Sequence, residues 1–190
     1  CRSFAAPLGL GVACYVRNYG DALGQKFPAD PTSALNLATT GHGYFATVAM
    51  VYTPPNGSNA IKFMVYGTEA TGEKLLTTAP LDSTGQHVSV PNNCLSCHGI
   101  SSSVSTASGT PVVSSAARFL PFDFYTFKFS TAAGFTQAAQ QDAFERLNQL
   151  VALTPMSPAT STFLKGMYGG VMPGAASAYP NDRFVYPAWD

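Results

Sequence analysis

Two cysteines separated by two residues and followed at once by a histidine, Cys94-Leu95-Ser96-Cys97-His98, put two thiols and an imidazole within five consecutive residues. This is the spacing of covalent haem attachment. Two thiols at that interval reach the two vinyl groups of one haem as thioethers, and the histidine directly after the second thiol is placed to bind the iron from one face. A redox dithiol would use the two cysteines but has no need of His98, and no parallel strand is expected before this pair. A zinc site would need two further ligands, recruited from Cys1, Cys14, His42 or His87 without any repeat of the spacing. One covalent haem c, held by Cys94, Cys97 and His98, is therefore the expected cofactor, with the zinc and dithiol readings as its rivals.

The other two cysteines, Cys1 and Cys14, suit an oxidising compartment. A disulfide between them would close a short loop around Pro7, Gly9 and Gly11 and contribute about 3 kcal/mol by the loop-entropy estimate. The rival reading makes Cys1 the lipid-bearing first residue of a periplasmic or extracellular lipoprotein. One sulfur cannot serve both. No run of about 18 apolar residues exists, so no transmembrane segment is expected, and an export signal is expected to have been removed. Ten basic side chains balance ten acidic ones, and charged residues make up 11% of the chain, against roughly 25% in ordinary soluble domains. Nothing in that balance suggests a nucleic-acid partner. A surface so poor in net charge does little to oppose self-association, which makes a homo-oligomer or a membrane-associated electron-transfer complex an expected setting.

Along the chain, Pro7, Gly9, Gly11, Gly20, Gly24, Pro28 and Pro31 interrupt residues 1–41, which read as an irregular arm. Tyr44 to Thr53 is rich in aromatic and β-branched residues and reads as a strand, Asn56-Gly57 as a turn, and Ile61, Phe63 and Val65 as the inward positions of a second strand. Short segments begin at Leu75-Leu76 and span His87 to Val90, with a turn between them at Asp82 to Gly85. A Ser/Thr-rich loop covers Ser101 to Thr110, and Phe119, Phe122, Phe124, Tyr125, Phe127 and Phe129 form an aromatic segment. Phe122 and Phe124 from that segment are expected to line the haem, besides building the core. Thr136 to Leu153 reads as a helix capped by Thr136, with Ala143, Phe144, Leu147, Leu150 and Val151 on its apolar face. Ser157 and Pro158 open another, which Gly169-Gly170 stops. The tail from Val171 should be extended or looped, with Phe184, Tyr186 and Trp189 as anchors. The expected fold class is thus α+β in a single haem-binding domain, 1–190. An irregular arm (1–41) precedes an antiparallel β meander in a β-rich part (42–90), and a partly helical, haem-enclosing part with long loops follows (91–190).

The stretch Cys94 to Gly99 resembles the haem-binding signature of the c-type cytochrome superfamily. More faintly, Val90 to Gly99, Leu120-Pro121-Phe122-Asp123, Phe144 to Leu150 and Tyr168-Gly169-Gly170 are similar to an uncharacterised group of bacterial monohaem cytochrome c domain proteins. About ninety β-rich residues precede the motif and a Pro-rich tail ends the chain, unlike the small helical cytochromes. The resemblance implies transfer of single electrons to or from a redox protein outside the cytoplasm. Iron's second axial ligand separates that role from an alternative. Met172, in Gly169-Gly170-Val171-Met172-Pro173-Gly174, is the leading candidate, ahead of His42, Met156 and His87. An open position would instead make the chain a haem enzyme or a small-ligand-binding protein, with His42, Arg118 or Tyr125 as conceivable distal groups.

Overall fold

The computed structural model describes residues 1–19, 31–54, 60–69, 72–80, 87–99, 117–174 and 184–185. The chain is an α+β protein that separates into two compact units, one of residues 4–117 and one of residues 118–190 with 1–3. The contacts thus divide at 117/118, where the sequence drew its internal boundary at 90/91.

The first unit carries the greater part of a five-stranded sheet in the order β1-β2-β3-β4-β5, all but the first two residues of β1. Its strands are β1 (Arg2–Ala6), β2 (Gly9–Tyr19), β3 (Tyr44–Thr53), β4 (Ala60–Glu69) and β5 (Gly72–Leu76), and β2 through β5 pair antiparallel. A separate two-stranded ribbon pairs β6 (Thr78–Pro80) with β7 (His87–Ser89). The registers align side chains into rows across the sheet: Val12, Tyr52 and Ile61 in one, Cys14, Met50 and Phe63 in the next. All six are buried, so this face is the unit's core. On the opposite face Arg17 is exposed, with its guanidinium carbon 4.4 Å from the Tyr44 ring centroid, a cation–π contact.

The expected irregular arm over 1–41 is corrected by the structure, which places β1, β2 and a helix, α1 (Pro31–Thr40), within it. Those glycines and prolines of the arm that fall among the described residues each have a local cause, while Gly20, Gly24 and Pro28 lie outside them. Pro7 and Gly9 stand at the β1–β2 turn, where Gly9 has φ 139°. Gly11 lies inside β2 because the Phe4 ring occupies the space a Cβ would need. Pro31 starts α1, a position where its missing N–H costs nothing. Gly41, at φ 72°, ends that helix by donating its N–H to Leu37 O at 3.0 Å. Leu75 and Leu76 close a strand rather than open one. The turns expected at 56–57 and 82–85, the loop at 101–110, and Tyr186 and Trp189 lie outside the described residues.

Cys1 and Cys14 are disulfide-bonded. The bridge closes the β1–β2 hairpin and corrects the lipid-anchor reading of Cys1, because the sulfur a lipid would use is already taken up. Among the described residues no helix is long and apolar enough to cross a membrane.

The second unit is helical. α3 (Gln137–Ala152) is capped as expected, with Thr136 accepting from Ala139 N. In α4 (Pro158–Met167), Ser157 accepts from Thr160 N and Pro158 stands in the first turn. Gly169 and Gly170, at φ 72° and 96°, end α4, the N–H of Gly170 reaching Lys165 O at 2.8 Å. Phe144 of α3 gathers the preceding aromatic segment around itself, with ring centroids 4.9 Å from Phe127, 5.3 Å from Phe124, 5.5 Å from Phe129 and 6.4 Å from Phe122. Phe184 packs across Gly166 and beside Phe163.

One polar residue ties these pieces together. Asn148, fully buried, accepts from Phe122 N (2.8 Å) and donates to Phe122 O (2.9 Å) and to the Tyr168 hydroxyl (2.9 Å). Its amide substitutes for a strand partner to the 120s segment while fixing the end of α4. Burial pushes the Tyr168 phenol above its ordinary range, opposed by the Asn148 hydrogen bond and reinforced by Glu145 and Tyr125. Replacing Asn148 with Leu should strand the Phe122 peptide groups and lower stability by about 2–4 kcal/mol. Equilibrium urea unfolding checks this, and a loss under 1 kcal/mol would contradict it.

Candidate functional site

The Cys94-Leu95-Ser96-Cys97-His98 segment folds into a short helix, α2 (Asn92–His98), directly after β7, whose pairing with β6 is antiparallel. The Pro91 carbonyl accepts the first turn's hydrogen bonds from Cys94 N (2.8 Å) and Leu95 N (2.9 Å), and Gly99 N–H closes the helix on Leu95 O (3.0 Å). At about 100° of rotation per residue, the motif's side chains fall on one arc in the order Cys97, Cys94, His98, Leu95. Leu95 is buried and Cys97 exposed, with Cys94 and His98 half-buried between them. The arc thus runs from solvent to core, with the imidazole next to the anchored end.

The ring of His98 lies 5.7 Å from that of Phe63, centroid to centroid, tilted by 51°. Phe63 belongs to the buried row of the sheet, so the histidine rests against the core face of β4. Gly99 answers to a packing demand: a Cβ there would stand 2.9 Å from Leu95 Cδ2 and 3.3 Å from Leu95 O. Any other residue would press on the side chain that anchors the helix.

Cys94 and Cys97 are thiols, not a disulfide. The Cys94 thiol donates to Asn93 Oδ1 at 3.3 Å, and its pKa is pushed up to about 11, first by burial and then by the neighbouring Cys97. A dithiol oxidoreductase works through a thiolate stabilised well below the ordinary range; Cys94 is shifted in the opposite direction. Two thiols one helical turn apart, with an imidazole on the same arc, fit the donor set of a covalently held haem. Were a haem held there, each thiol would add across one of its vinyl groups, sulfur and hydrogen ending on adjacent carbons with no net oxidation. For the zinc reading, no cluster of three or more His, Cys, Asp or Glu suited to a metal ion occurs among the described residues.

Phe122 and Phe124, expected to line the haem, pack with Phe144 in the second unit, Phe124 nearly fully buried. Met172 is half-buried and packs, together with Met156, on the cluster of Leu164, Met167 and Tyr168. The loop that carries it is tied to α3 where Gly174 N–H donates to Glu145 Oε1 at 3.2 Å, and Pro173 is buried. His42, between Gly41 and Gly43 after α1, and His87, at the start of β7, are exposed. Sequence reasoning missed Phe63 as a neighbour of His98 because the pairing is long-range. It missed Asn148 although a polar residue at i+4 from Phe144 and i−3 from Val151, inside an apolar stripe, was the available signal. Compared with protein-family models, curated proteins and solved structures, the chain matches none.

In the haem-free chain, iodoacetamide should alkylate the exposed Cys97 well before Cys94, whose labelling should accelerate only as pH approaches about 11. The folded chain holds the Cys94 proton above the range, near 9, where the unfolded chain releases it. The same group should therefore make stability fall as pH rises through that window. Peptide mass spectrometry reads the labelling, and equal rates at pH 8 would contradict this picture.

Proposed function

We propose that this chain is a monohaem c-type cytochrome that passes single electrons between redox proteins outside the cytoplasm. The observation that carries the reading is the single arc of α2, on which both thiols stand beside an imidazole held against the sheet. The haem, when bound, supplies a one-electron iron couple. Cys94 and Cys97 would hold it through their sulfurs and His98 would bind its iron, while an apolar anchorage through Leu95 and Phe63 keeps water from one side of the imidazole. The Cys1–Cys14 disulfide supports the compartment, since such bonds persist where the surroundings oxidise thiols. A charged fraction of 11% with no net charge favours recognition of the redox partner by contact of uncharged surfaces over long-range steering. Such recognition suits a chain working within a larger assembly.

As a second ligand to such an iron the sequence favours Met172, and a methionine ligand would raise the potential above that of a bis-histidine site. The untreated protein should show the spectrum of a low-spin haem that organic solvent does not extract, and His98→Ala should abolish the low-spin spectrum. A haem that washes out would overturn the covalent reading. Met172→Ala should remove the weak long-wavelength band of a methionine-ligated ferric haem, lower the potential and let the reduced protein bind carbon monoxide. If the unaltered protein is high-spin and binds carbon monoxide rapidly, the haem enzyme or ligand-binding alternative replaces electron transfer.

A further inference from the structure

The imidazole of His98 is met by an aromatic ring from a β-sheet. Phe63 is 2% exposed, its neighbours on the same face of β4, Ile61 and Val65, are 1% and 3% exposed, and its cross-strand partner Met50 is 8% exposed. The row continues to Cys14, which the Cys1 disulfide holds on the neighbouring strand. Phe63 therefore cannot move without disturbing the centre of the sheet. On the helix side, Leu95 is buried one turn before His98, so α2 cannot roll about its axis and carry the ring away. At 5.7 Å and 51° the two rings make a tilted aromatic contact, which restricts rotation of the imidazole about its last side-chain bond. An aliphatic residue in the same place would fill space without selecting a ring plane.

We infer that Phe63 is the positioning residue for His98, fixing the plane of the axial imidazole from the sheet. This rests on the cytochrome reading above and adds to it a residue on β4, remote in sequence from the motif. Residues that orient a metal's ligand tune the metal through it, so the ring plane held by Phe63 would tune an iron bound by His98. Phe63 touches the ligand and has no part in attachment, which belongs to Cys94 and Cys97.

Phe63→Leu keeps an apolar side chain on the strand and removes the ring, and Val12→Ala, two strands away in another row, serves as a control for general loosening of the core. In the haem-bearing protein, Phe63→Leu should shift the g-values of the ferric electron paramagnetic resonance spectrum with covalent haem content unchanged, and Val12→Ala should leave them in place. Unchanged g-values in Phe63→Leu, or equal shifts in both variants, would overturn the inference. In the haem-free wild-type chain, nuclear Overhauser effects should connect the Phe63 ring protons to the His98 imidazole protons, which should also show ring-current shifts. Their absence would overturn the inference even if Phe63→Leu fails to fold. A wild-type protein that never carries haem would instead defeat the cytochrome reading, and the Overhauser measurement would still decide whether Phe63 holds His98.

Discussion

The short helix α2 is held in place by its environment. Isolated helices shorter than about 12–15 residues are marginal in water, and α2 has seven. Its form and orientation come from burial of Leu95, from the carbonyl of Pro91 that receives its first hydrogen bonds, and from the contact of His98 with Phe63. Burying a leucine side chain contributes about 1.5–3 kcal/mol, enough to fix which way so short a segment faces. Everything chemical about the motif follows from that orientation. Cys97 reaches solvent, Cys94 is partly covered and remains a thiol, and the imidazole lies against the sheet.

The four cysteines thereby divide by structure as well as by sequence. Cys1 and Cys14 are bonded across the first hairpin, in the same row of the sheet that ends at Phe63. Cys94 and Cys97 stand as thiols on one helical turn. The disulfide also stiffens the strand next to β3, on which the Phe63 row depends.

The sequence was most legible where a short-range signal acted alone. β3 runs over Tyr44–Thr53, as its aromatic and β-branched run indicated, and its register with β4 buries Ile61, Phe63 and Val65 as their alternation required. The caps at Thr136, Ser157 and Gly169-Gly170 stand where their chemistry placed them. Legibility failed where a distant partner changed the meaning of a residue. Gly11 reads as a breaker until Phe4 is seen lying over it, and Asn148 reads as a blemish in an apolar face until the Phe122 backbone is seen to need it. In the candidate site, the grouping of Cys94, Cys97 and His98 was visible in their spacing, while their neighbour Phe63 was not, since only folding brings β4 beside α2.

If the chain is a c-type cytochrome as proposed, both thiols of α2 carry one haem. Tandem mass spectrometry of the proteolytic peptide spanning Cys94 to His98, taken from protein made in a cell that matures c-type cytochromes, tests it most directly. The predicted result is a single peptide bearing one haem with both cysteine sulfurs bonded to it. The same peptide recovered with two alkylatable thiols, or with Cys94 joined to Cys97, would contradict the account.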